Sequence, residues 1–200
     1  MDELSHAVLV TKGCMKHHLA RKVLAGIAAV GAWALFMSVE AQDNKVGKPA
    51  PEFSAKGSDG KTHTLKSLTA NGPVFLYFIK DGCPINHEMV KYFNELGKAY
   101  QGKASLVGVI DGDASTARNW LSQYKAPYTL LLDPSHQIIR SYGAMYSPWA
   151  VMVEDGKIAK VWPGASKAGL TEMNALMAKA GKTKLVSVNL EGAPTRPSGG

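Results

Sequence analysis

Cysteine is scarce: the 200 residues hold two, Cys14 and Cys83. That number excludes a scaffold built on a disulfide framework. Basic clusters are also missing. From Gln42 onward there are 19 Lys and Arg against 13 Asp and Glu, a net charge near +6. The lysines stand singly, without interleaved aromatics, so the excess reads as a solvated surface and not a nucleic-acid stripe. Internal repeats and low-complexity tracts are absent, and one long apolar run stands apart from the rest, at residues 23–39.

That run follows the basic segment Lys16-His17-His18-Leu19-Ala20-Arg21-Lys22 and precedes Val39-Glu40-Ala41. The order of basic, apolar and small-residue segments is that of a secretory signal peptide cleaved before Gln42. Residues 1–41 are therefore expected to leave the mature chain, and an extracytoplasmic location, periplasmic or secreted, follows. A start at Met15 gives a leader of ordinary length and removes Cys14. The rival reading is an uncleaved anchor facing out of the cytoplasm, since seventeen residues sit at the lower limit of a membrane span. Residues 42–180 then make one domain and residues 181–200, with their Pro, Gly and Ser, a loose tail.

What remains is organised around one strand-to-helix corner, Phe75-Leu76-Tyr77-Phe78-Ile79-Lys80-Asp81-Gly82-Cys83-Pro84-Ile85-Asn86-His87. Proline favours the first helical position, so Pro84 places Cys83 at or beside the N-cap. A thiol there faces unpaired backbone N–H groups and the positive end of the helix dipole, both of which favour thiolate. His87, one turn further along, is placed either to assist Cys83 or to lie on the helix surface. Asn86 is placed to bond local backbone in the first turn. Lys80 and Asp81 pull on the thiol in opposite directions.

Apolar spacing predicts helices over residues 84–101, 114–124, 138–142 and 166–180, and strands over 74–80, 105–110, 128–132, 149–153 and 157–161. Ser58-Asp59-Gly60-Lys61 and Glu154-Asp155-Gly156 read as hairpin turns. The order indicates an α/β fold with a mixed central sheet flanked by helices.

The lead-in Gly47-x-Pro49-Ala50-Pro51-x-Phe53, the Asp59-Gly60-Lys61 turn, the Cys83-Pro84 corner, Tyr142-Gly143, Ser147-Pro148 before a strand, and Asp155-Gly156-Lys157 together resemble the thioredoxin-like superfamily. Within it the chain is similar to the redoxin branch of alkyl hydroperoxide reductase/thiol-specific antioxidant proteins. The resemblance implies that Pro148 is cis and faces Cys83, with the backbone at Ser147 and Pro148 binding extended substrate. It implies no cofactor. Two departures stand out. The second cysteine of a dithiol site is Asn86 here, and the hydroxyl and proline of a peroxidase site are Lys80 and Leu76.

The expected activity is thiol-dependent oxidoreduction of disulfides or peroxides through Cys83. Its partner is an external resolving thiol, carried by a partner protein or a small thiol. Two other readings stay open: a non-catalytic binding module with an inert or tethering Cys83, and a Sco-like copper site using Cys83, His87 and Met89.

Overall fold

Val74–Ile79 is the axis of the molecule, and each of its six residues is buried. We describe residues 45–200 in a computed structural model of the chain. An apolar run covered on both faces needs a parallel or mixed sheet with layers on either side, and that is its setting. In chain order the strands are β1 (Ser54–Lys56), β2 (Thr62–Thr64), β3 (Val74–Ile79), β4 (Ser105–Ile110), β5 (Leu130–Leu132), β6 (Trp149–Glu154) and β7 (Lys157–Pro163). The helices are α1 (Leu65–Leu68), α2 (Pro84–Ala99), α3 (Ala114–Tyr124), α4 (Gln137–Tyr142) and α5 (Lys167–Ala180).

The five-stranded sheet runs β5-β4-β3-β6-β7, with β1 and β2 forming a separate antiparallel hairpin. β4 lies parallel to β3, from Val74 opposite Ser105 to Ile79 opposite Ile110. On its other side β3 pairs antiparallel with β6, Phe78 opposite Trp149. This is the mixed sheet expected from the element order, and it is the thioredoxin fold. β5 starts at Leu130, two residues later than the apolar run suggests, because its ladder with β4 begins at Gly108 opposite Leu130.

Alternation along β3 divides the core. Phe75, Tyr77 and Ile79 join one cluster with Met89, Phe93 and Leu96 of α2 and Leu170 and Met173 of α5. Val74, Leu76 and Phe78 join a second with Leu65, Ile138 and Tyr142. The Tyr77 and Phe93 rings stack with centroids 3.7 Å apart, fixing α2 against the strand that leads into it.

Residues 181–200 carry no regular helix or strand and are laid against the body. Their composition suggests a loose tail. Leu190 and Ala193 are instead buried in the first cluster, with Val186 and Val188 packed against it. Four apolar contacts dispersed in a Gly- and Pro-rich stretch give no periodic signal. Among the described residues, no helix is long and apolar enough to cross a membrane. The expected leader, residues 1–41, and Cys14 lie outside the described residues.

Candidate active site

The end of β3, the start of α2 and the turn before β6 meet at Cys83. Cys83 is the N-cap of α2, with extended backbone (φ −93°, ψ 115°), and Pro84 opens the helix. Its side chain makes no capping bond. The sulfur reaches instead across to the Ser147 carbonyl oxygen at 3.7 Å, the thiol donating. The Ser147–Pro148 peptide bond is cis. Cys83 is 6% exposed, so a reagent meets one edge of the sulfur and little more.

Asn86 occupies the centre of the corner and is fully buried. Its Oδ1 accepts from the Tyr77 hydroxyl at 3.1 Å. Its Nδ2 donates to the Lys80 carbonyl at 3.0 Å and to Ser147 Oγ. Ser147 Oγ in turn donates to the Phe78 carbonyl at 3.1 Å and accepts from the Lys80 N–H at 3.0 Å. Each polar atom of this network has a partner, the condition under which a buried polar cluster orders a site instead of weakening it. Burial pushes the Tyr77 hydroxyl well above its ordinary value, so it stays protonated and keeps donating. The corner is further pinned by the Asp81 N–H, which donates to Asp111 Oδ1 at 2.8 Å.

Sequence places Asn86 on local backbone, which the Lys80 bond satisfies. The reach across to Tyr77 and Ser147 is not legible there, because those partners lie nine and 61 residues away. Tyr77 is a site residue that sequence reasoning misses. The available signal is one hydroxyl in an otherwise apolar strand.

His87 sits on the exposed side of α2. Its ring packs on Trp120 and Tyr124 of α3, with centroids 5.3 and 5.5 Å away, and Nδ1 bonds the Tyr124 hydroxyl. The histidine is thus engaged with α3, while Cys83 hydrogen-bonds Ser147. Met89 is buried in the core beneath α2. Among the described residues no three His, Cys, Asp or Glu side chains gather as a metal site. Leu76 is buried in the second cluster and Lys80 is exposed, so neither of these two positions offers a hydroxyl to the thiol.

Residues 46–165, well over half of the chain, match the AhpC/TSA family. The chain belongs to the AhpC/TSA family. Among AhpC/TSA and related proteins, the thiol-disulfide oxidoreductase ResA of Bacillus cereus is 28% identical over 139 residues, 68% of this chain and 79% of that one. Peroxiredoxin Q of Arabidopsis thaliana chloroplasts is 30% identical over 118 residues, 58% of this chain and 54% of that protein. A crystal structure from Chlorobium tepidum, assigned as a thiol:disulfide interchange protein DsbE, superposes with a TM-score of 0.60 at 25% identity. It covers 68% of this chain and 97% of that one.

Proposed function

We propose that this AhpC/TSA chain is an exported thiol-disulfide oxidoreductase that works through the single thiol of Cys83. The observation that carries the reading is the position of the sulfur, on the N-cap of α2 and against the carbonyl of the Ser147–Pro148 turn. The similarity to a thiol-disulfide oxidoreductase over 68% of the chain supports it. Disulfides suit the site better than peroxides, since Leu76 and Lys80 offer no hydroxyl to orient a peroxide oxygen.

The exchange balances without a cofactor. Cys83 thiolate attacks one sulfur of a substrate disulfide, forming a mixed disulfide as the other sulfur leaves as thiolate. A first external thiol attacks the Cys83 sulfur of the mixed disulfide and releases the second substrate thiol; a second then attacks the new mixed disulfide, forming the external disulfide and freeing the Cys83 thiolate. Asn86 stands where a dithiol site carries its second cysteine, so resolution passes to that external thiol. Pro84 sets the helix start, Asn86 and Ser147 hold the loop, and the Ser147–Pro148 backbone receives substrate.

Cys83→Ser is expected to reduce turnover of a model disulfide such as insulin, with glutathione as the external thiol, to the uncatalysed rate. Retained turnover refutes the mechanism. Export rests on the basic and apolar segments before residue 42, and mass spectrometry of protein recovered outside the cytoplasm should find Gln42 at its N-terminus. An intact leader on that material would point to the anchor instead. One observation favours a second reading, a non-catalytic binding module: Cys83 is nearly enclosed. Efficient disulfide turnover by the wild-type chain excludes it.

A further inference from the structure

Beside Cys83 runs the chain's own segment of residues 194–200. Gly200 exchanges two backbone hydrogen bonds with Ser147, its N–H to the Ser147 oxygen and the Ser147 N–H to its own oxygen, each 2.9 Å. Two residues earlier, Ser198 does the same with Ala165, again at 2.9 Å in both directions. Pro194 accepts from the Lys167 N–H at 2.7 Å. Reciprocal main-chain pairs are the bonding mode of antiparallel β-pairing; here they run to two segments, Ser147 before β6 and Ala165 after β7, so residues 198–200 bridge the two without forming a regular strand.

The bridged edge has a floor shaped for close backbone approach. Gly164 has φ +79°, and a Cβ there would meet the Ser198 backbone oxygen at 2.9 Å and its carbonyl carbon and nitrogen at 3.1 Å. The Ser147 oxygen that accepts from Gly200 also accepts from the Cys83 thiol. A Cβ built on Gly200 would lie 3.4 Å from the Cys83 sulfur. That is close to the separation between a Cβ and the far sulfur of a disulfide.

We infer that residues 194–200 are a built-in occupant of a polypeptide-binding edge, which controls access to Cys83 and must withdraw before a partner chain can react there. The ligand class follows from the pairing. It is an extended polypeptide whose cysteine takes the place of Gly200 while the residue two before it pairs with Ala165. Main-chain bonds supply affinity, and register sets which side chain meets the thiol. Gly199 would carry a Cβ in ordinary contact with Ser147, Gly164 and Tyr146, so a side chain fits at the intervening position. The assignment of a disulfide-bearing polypeptide as the substrate rests on the thiol-exchange reading above; the occupancy and gating do not.

The test uses the 200-residue protein with Cys14→Ser, which leaves Cys83 as its one native thiol, and reads chemistry there without requiring turnover. Ser198→Pro removes the N–H that bonds Ala165, and iodoacetamide alkylation of Cys83 is expected to accelerate at least tenfold. In Gly200→Cys, oxidised glutathione should yield an intrachain disulfide between Cys83 and the thiol introduced at position 200. The two protein thiols lose two protons and two electrons, and one glutathione disulfide is reduced to two thiols. The product is two mass units lighter than the reduced protein and resists alkylation until reduced. Alkylation of Ser198→Pro within twofold of the wild-type rate overturns the inference if the variant keeps the wild-type circular dichroism. So does a Gly200→Cys protein that forms only glutathione adducts and intermolecular dimers. If both expected results appear while no disulfide is turned over, the occupant stands and the oxidoreductase reading falls.

Discussion

Asn86 decides more at this site than its size suggests. A second thiol at that position would be a weak hydrogen-bond partner, whereas the amide joins β3, the corner loop and the Ser147 turn in one network. Asn86→Ala leaves the buried Tyr77 hydroxyl without an acceptor, while the Lys80 carbonyl loses the amide bond and keeps the Cys83 N–H. We expect a loss of roughly 1–3 kcal/mol of stability by urea unfolding, the ordinary cost of one buried group left unpaired. Ser147 would lose one bond and keep two, so the turn should loosen and not collapse. A variant as stable as wild type would mean that water replaces the amide. His87 shows the opposite relation between position and role. Spacing puts it on the same helix face as Cys83, but two aromatic rings of α3 hold it.

At the scale of elements, the chain states its own boundaries wherever the physics is local. Asp113 caps α3, its Oδ1 accepting from the Ser115 and Thr116 N–H groups at 2.8 and 3.0 Å. The Ser115 hydroxyl and these backbone donors hold its carboxyl down to about 2. Ser166 caps α5 by accepting from the Gly169 N–H. For this reason sequence alone places both helices to within a residue. Close approach between elements is not legible in the same way. A Cβ on Gly108 of β4 would stand 2.4 Å from Leu130 Cδ2, so this glycine lets β5 side chains pack down on β4. Nothing in its neighbours along the chain distinguishes it from a bulge or a flexible point.

At the scale of the whole molecule, residues 181–200 become part of the structure. Tyr100, at the end of α2, donates to Asn174 Oδ1 at 2.6 Å and accepts from the Val186 N–H at 3.1 Å. Asn174 Nδ2 bonds the Val186 carbonyl at 3.0 Å. Tyr92 donates to the Glu191 carbonyl at 2.9 Å. The Tyr100 hydroxyl and the Asn174 amide thus clamp the segment across α2 and α5. Tyr100→Phe keeps the buried ring and deletes the hydroxyl's half of the clamp, leaving the Asn174 bond to the Val186 carbonyl. It should cost about 1–2 kcal/mol and quicken tryptic cleavage after Lys182 and Lys184. Cleavage at the wild-type rate would show that the remaining anchors, among them Asn174 with Val186, Tyr92 with Glu191 and the buried Leu190 and Ala193, hold the segment without the Tyr100 hydroxyl.

The sequence by itself determined the element order, the mixed sheet and the place of Cys83 at a helix start, because hydrophobic period, proline and capping residues act over a few neighbouring positions. Tertiary structure decided that Asn86 ties together residues as distant as Tyr77 and Ser147, that His87 packs on α3, and that a Gly- and Pro-rich segment returns to bond the Ser147 turn beside the thiol. Those outcomes depend on backbone groups and single side chains meeting after the sheet is assembled. No pattern along the chain encodes such a meeting.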